Sequence, residues 1–378
     1  VDEGDPYSAL LINKSINNLR ARRIFGKVTQ AVTQGSKPDL RIVEIKVEER
    51  ATGEISAGAG IGSDGTSFMF MVNENNWLGR GIGLSSTLNL TSTSVSGGLN
   101  INNPNYKYSG NALNAGLTLA TIDNTNTSGY KSKRTKLSLG TEFEQYENIY
   151  FSPSIGAGHE DVTVQKSASA SVKKMGGNFS NIDFNYGVAF DQRNQTYNPT
   201  GGYWAKFIQK IPLLQDSSSL LNGVNFNKYH GFSEDVIGTV KFFGRSIHGL
   251  DKDTRLTSRL FLPQSRLRGF DTQRTGPKDG NDYVGGNYTT SLAFEAKLPN
   301  LLPESYKTDF SVFLDSANVW AVDYSDSIDD SSKIRSSVGL AANVFTAIGP
   351  LSFTLAQNIT KDTNDVTEVF NFRLGTSF

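Results

Sequence analysis

Few residues in this chain have the types and spacings that chemistry needs. The three histidines, His159, His230 and His248, fall on separate segments with no metal-ligand spacing. His159-Glu160-Asp161 sets an imidazole beside two carboxylates, the groups of acid–base catalysis. No Ser/His/Asp constellation completes it, and a strand end reaching solvent accounts for the triplet. The run GAGIGSDG at residues 58–65 is superficially like a phosphate loop, but no Lys-Ser/Thr and no helix follows it. Asp326, Asp329 and Asp330 make an acidic loop tip that suits solvent or calcium. One stretch asks for a partner. Leu262 to Asn287, LPQSRLRGFDTQRTGPKDGNDYVGGN, reads neither as helix nor as alternating strand, and long ordered loops are usually functional. Its Phe270 and Tyr283 imply order, and Arg268 beside Gly269 and Phe270 is either a solvated loop arginine or an anchor. An anchor folded away from water needs carboxylate partners.

The bulk numbers narrow the classes. The 378 residues carry 37 basic and 37 acidic side chains, so no excess of positive charge favours nucleic acid. Absent cysteine excludes disulfides and thiolate chemistry and is compatible with a Gram-negative envelope. Residue 1 is Val1, with no charged and apolar leader behind it, so the chain reads as mature or trimmed. No run of eighteen apolar residues suggests a membrane helix. A membrane barrel stays open, because its alternating strands leave overall hydropathy low, here −0.35 on average.

Residues 6–23 place Leu10, Leu11, Ile16 and Leu19 at helical spacing with arginines at the end, and two strands follow at residues 27–33 and 39–49. From Glu54 onward the period is two: Leu137/Leu139/Thr141/Phe143, Ile182/Phe184/Tyr186/Val188 and Val338/Leu340/Ala342/Val344 alternate with polar or small residues. About sixteen such segments run from 54–63 to 367–378, many of ten or more residues, longer than ordinary soluble strands. If residue 53 is periplasmic, the longer polar connections, 123–133, 165–178, 213–222, 250–286 and 322–332, all fall outside. The connections on the other side are mostly short, which is the asymmetry of outer-membrane barrels. Trp77, Tyr106, Tyr108, Tyr150, Trp204 and Trp320 near strand ends suit an interfacial aromatic girdle. The expected fold is all-β, a 16-stranded antiparallel transmembrane β-barrel over residues 53–378 with a long external loop at 250–286. By strand parity Glu295 and Asp315 face the lumen and are the candidate partners of Arg268.

The sequence resembles the BamA branch of the outer-membrane assembly-factor superfamily over nearly its whole length. The most specific part is Arg268-Gly269-Phe270 followed by Arg274, Gly276-Pro277, Asp282 and Gly285-Gly286-Asn287, similar to that family's sixth external loop. Phe313 to Trp320 (FLDSANVW), Asn198-Pro199-Thr200-Gly201, and residues 48–53 with Asn76 to Gly81 are similar to other family segments. Ala51 stands where Pro is common, and Leu267 where Val is usual. The resemblance implies that residues 1–52 are the C-terminal part of a periplasmic POTRA domain and that Arg268 pairs with Glu295 and Asp315.

Gly58, Gly60 and Gly62 weaken the first barrel strand, and Gly375 permits a kink near the end of the last, alongside Phe370, Phe372 and Phe378. These strands are expected to meet in a short, weak seam. The function the resemblance implies is folding and inserting other β-barrel proteins into the bacterial outer membrane through that seam, by β-augmentation and without chemical catalysis, metal or cofactor. Its implied partners are unfolded outer-membrane barrel substrates, outer-membrane lipids and accessory lipoproteins, with no nucleic acid. The alternative is a two-partner-type secretion pore or a passive channel.

Overall fold

The computed structural model describes residues 3–21, 24–63, 65–196, 198–299, 303, 308–346 and 349–375. A helix at Ala9–Ala21 and a hairpin of Phe25–Gln34 with Arg41–Glu49 come first. Ile12 and Ile16, one helical turn apart, bury against Val28, with Leu19, Phe25 and Val43 packed around them. Six apolar side chains make a small core, and Ile42, Ile45 and Val47 stay exposed. A POTRA domain is not evident from these three elements alone.

The remaining strands close on themselves. The first eight are Gly53–Gly62, Gly65–Trp77, Ile82–Thr91, Ser94–Asn103, Ala112–Asn124, Tyr130–Tyr146, Ile149–Val164 and Gly177–Asp191. The second eight are Gly201–Gln215, Ser219–Gly231, Ile237–Gly249, Tyr288–Leu298, Thr308–Trp320, Arg335–Thr346, Gly349–Thr360 and Phe370–Gly375. Each pairs antiparallel with its chain neighbours, and the sixteenth returns to the first. No helix among the described residues is long and apolar enough to cross a membrane.

Burial along the strands differs from a soluble protein's, because large apolar side chains are exposed at alternate positions. On the thirteenth strand Phe313, Asp315, Ala317 and Val319 are buried, while Val312 and Leu314 on the other face are exposed. On the twelfth, Thr289, Ser291 and Ala293 are buried, and Leu292 and Phe294 are exposed. An outer face of exposed apolar residues, over an inner face that also takes up Asp315, Thr289 and Ser291, is the pattern lipid selects. Closure follows from the same solvent, since an open edge in hydrocarbon would leave backbone groups unsatisfied.

Two sequence expectations need correction. The connection expected at 213–222 shrinks to 216–218, because the ninth strand continues past Pro212 to Gln215 and the tenth begins at Ser219. The ladder absorbs the proline with a register shift at Ile182/Asp183 and still pairs Gln215 with Asn181. The last strand begins at Phe370 rather than 367, with a bend at Val369. Phe378 lies outside the described residues.

Candidate functional site: the lumenal loop and the barrel seam

The long loop leaves the eleventh strand at Gly249 and rejoins the twelfth at Tyr288, and between them it folds into the barrel. Leu262, Leu267 and Phe270 bury against Ala317 and Val319 of the thirteenth strand, with Phe270 fully buried. This apolar contact inside a polar lumen fixes the position of the loop tip.

The charge next to it is fully partnered. Arg268 donates from Nε and Nη2 to the two carboxylate oxygens of Asp315, each at 2.8 Å, and from its backbone N–H at 3.0 Å. Its Nη1 reaches Glu295 at 3.0 Å, and its guanidinium lies 3.6 Å from the centre of the Phe313 ring. Asp315 is completely buried, whereas Glu295 shares its charge with Lys241 at 3.2 Å. The fork geometry matches a carboxylate, which a lysine could not do. The next residue locks the backbone: Gly269 has φ +88°, and a Cβ there would stand 2.8 Å from that of Ala356. Its carbonyl accepts from Asn358 at 2.9 Å, and that of Arg268 accepts from Ser337 at 2.5 Å. The tip therefore touches the twelfth to fifteenth strands.

Two further clamps hold the loop, and sequence reasoning missed both. Glu160 accepts from Arg134 at 2.5 Å and from the Thr257 hydroxyl at 2.8 Å, tying the loop to the opposite wall. Its neighbour His159 bonds the Ser180 hydroxyl of the next strand at 3.0 Å, so the triplet is split between wall and loop. At the outer end, buried Arg259 binds Asp323, the Thr254 carbonyl at 2.9 Å and Asn287 at 2.8 Å, beneath the Tyr324 ring. Tyr130, Val162, Val172, Leu256, Val284 and Ile328 form an apolar cap there from several loops. Nothing local distinguishes Arg259 from a solvated arginine; the signal arises only when the loops converge. The acidic tip is spent internally, Asp329 on Lys333 at 2.7 Å and Asp330 on the Val322 N–H at 2.6 Å.

Around the seam the ladders differ in length. The first strand makes ten register pairs with the second, from Gly53↔Glu74 to Gly62↔Gly65. Among the described residues the last makes five with the fifteenth, and first and last share three: Gly62↔Arg373, Ile61↔Leu374 and Gly60↔Gly375. Ser63 extends this by accepting from Phe372 and donating to its carbonyl. Close approach is built into two glycines. Gly375 has φ +130°, and a Cβ there would meet the Ala59 carbonyl at 2.4 Å; one on Gly62 would meet the Phe372 carbonyl at 2.5 Å. Gly58 sits below the paired stretch, and Phe370 and Phe372 stack on each other at 6.3 Å. A cavity of about 430 Å³ separates the seam from the loop tip, bordered by Gly60, Gly62, Arg268, Gly269, Arg373 and Gly375.

Two predictions follow from these charges. Arg268→Ala strands Asp315 as a buried carboxylate, a class of change that costs about 3–5 kcal/mol. Glu295→Gln leaves the Asp315 fork intact and should cost well under half as much, read as the temperature at which the folded gel mobility is lost. Asp323 gives the pH dependence. Burial pushes its carboxyl up, but hydrogen bonds from Thr254 and Asn287 and the Arg259 charge prevail and hold it at about 2, against an ordinary 3.8. A depressed pKa contributes stability above the ordinary value that is lost as pH falls through the folded one. Protease attack on residues 250–287 should therefore increase between pH 4 and pH 2, and Asp323→Asn should flatten that profile.

The comparisons with known proteins agree with this architecture. The Omp85 superfamily domain matches residues 76–378. The outer membrane protein assembly factor BamA of Neorickettsia risticii (strain Illinois) is 24% identical over 225 residues, covering 57% of this chain and 30% of that protein. The chain thus matches less than a third of that relative's length. The structure of BamA from Haemophilus ducreyi lacking POTRA domains 1-3 superposes with a TM-score of 0.86 at 23% identity, over 100% of this chain and 80% of that one. CdiB from Escherichia coli superposes with a TM-score of 0.66 at 13% identity, over 100% of this chain and 72% of that one. With its closed sixteen-stranded barrel, the protein is a bacterial outer-membrane protein and belongs to the Omp85 superfamily.

Proposed function

We propose that this barrel folds and inserts other β-barrel proteins into the outer membrane, using the seam between its first and last strands. The observation that carries the reading is, among the described residues, the ladder of three pairs beside one of ten. In hydrocarbon, an unpaired N–H or C=O costs several kcal/mol, so a strand edge that is nearly free binds another strand strongly. An incoming chain can meet that need by β-augmentation, with main-chain bonds supplying affinity and little demand on its sequence. No group is transferred, so no nucleophile, metal or cofactor is needed. A short seam strand also thins the bilayer locally, which lowers the cost of passing polar loops through it.

Unfolded outer-membrane barrel proteins are the substrates of this reading, and membrane lipids are the second surface. The likeness to assembly factor BamA supports the substrate class. Residues 1–52 are the terminal part of a POTRA domain in this reading, which would hand on substrates and dock accessory lipoproteins. A polypeptide secretion pore is the second reading, favoured by the barrel shared with CdiB. Against a passive channel stands the lumen, occupied by a loop tied to both walls.

The chain has no cysteine, so a single pair can be introduced cleanly. Ile61→Cys with Leu374→Cys joins directly opposed residues of the seam. Oxidation is expected to stop the appearance of newly folded outer-membrane proteins in cells, and reductant is expected to restore it. Full assembly with the bond closed would sink the insertase reading, and conductance of the locked barrel would then report on the pore.

A further inference from the structure

The last strand is gripped before it begins. Val366 donates to the Arg274 carbonyl at 3.0 Å and accepts from Asp271 at 2.9 Å, and Glu368 donates to the Gly269 carbonyl at 3.0 Å. Phe270 and Thr367 form an antiparallel bridge between these bonds. Side chains reinforce it. Asp365 binds Arg335 at 2.7 Å, both buried, and accepts from the Gly276 N–H at 3.2 Å; the Tyr283 hydroxyl donates to the Asn364 carbonyl at 2.6 Å.

The direction of these groups matters. Ala356 of the fifteenth strand donates to the Val369 carbonyl at 2.8 Å, so that residue faces the barrel wall. Backbone groups of an extended chain alternate sides. Phe372 turns the other way, to Ser63 at the top of the first strand. Val366 and Glu368 also turn away from the fifteenth strand, and it is the loop that meets them. One edge of the last strand is thus shared between the lumenal loop above and the first strand below.

We infer that the tip of the lumenal loop is a register lock: by holding Val366 and Glu368 it fixes how far the last strand descends, and so keeps the seam short. The inference rests on reading the seam as the working element. Pairing by 60–62 leaves residues 53–59 of the first strand without a partner among the described residues of the last. A descent of two residues would lengthen the ladder while keeping every side chain on its own face; a descent of one would turn the apolar set inward. The five pairs to the fifteenth strand can re-form after the same step. What opposes it is the loop, which Arg268 in turn fixes to Asp315 and Glu295.

The test reads register in purified protein. Ile61→Cys with Leu374→Cys reports the native register, and Ile61→Cys with Phe372→Cys reports a slip of two. Val366→Pro with Glu368→Pro removes both donors to the loop, and Arg268→Ala frees the tip without altering the last strand. In either background the slipped disulfide is expected to rise by roughly tenfold or more over the native one, the scale set by losing two hydrogen bonds. If folded protein in both backgrounds forms only the native bond, the lock is wrong. In the unmutated protein the amides of Val366 and Glu368 should exchange as slowly as those of the seam; exchange at the rate of an open loop overturns the lock without any variant. Assembly in cells is scored separately. Slippage with unaltered assembly would leave the lock standing and remove the reading of the seam beneath it.

Discussion

A charge taken out of water is tolerable only when every part of it is answered, and the interior of this barrel is arranged around one such charge. The Arg268 guanidinium meets Asp315 with two parallel bonds, Glu295 with a third, and the Phe313 ring with its face. Attraction in a medium of low dielectric is large, but so is the cost of desolvating both ions, and the pair's net worth as a stabiliser is small. Its value is positional. Because the bonds are directional and the alternatives are all unpaired, the loop tip has one place to be. That place lies within reach of four strands and of the lead-in to a fifth.

The second constraint is the bilayer, which asks opposite things of the wall and of the seam. Elsewhere in the wall, described ladders run to ten and more pairs, so that long stretches of backbone are paired away from lipid. At the seam, two glycines let strands approach where side chains would clash, yet the described contact stops after three pairs. Among the described residues the barrel is closed by ladders of unequal length, the shortest next to the cavity that the loop tip borders. A rigid tether and a weak edge lie on either side of one space, which is the arrangement expected where strand exchange must happen at one place only.

The wall was legible in the sequence because its signal is local and repeated. Period-two alternation in segments such as Ile182 to Val188 survives without knowledge of any neighbour, and strand ends fell within a few residues of the observed ones. The expected connection at 213–222 is too long because the ninth strand runs on past Pro212, where a bulge takes up the missing donor. Residues 367 and 368 misled for a deeper reason: their pattern is that of a strand, but their partner is the loop at Gly269 and Phe270, far away in the chain. Arg268, Glu295 and Asp315 were drawn together by facing direction and by a motif. Arg259 with Asp323, Glu160 with Thr257 and Arg335 with Asp365 carry no such mark. Each is an ordinary charged residue until loops distant in sequence are folded onto each other, and that is tertiary information.

The central claim is that the seam edge receives another protein's strand. A photo-activatable side chain placed at Ile55, Ala57 or Ala59 of the first strand, irradiated in growing cells, tests it directly. The account predicts crosslinks to outer-membrane barrel proteins caught during assembly, concentrated on their terminal strands, and far fewer from matching positions on the fifth strand. Crosslinks equal on both strands, or none to barrel proteins from either, would contradict it.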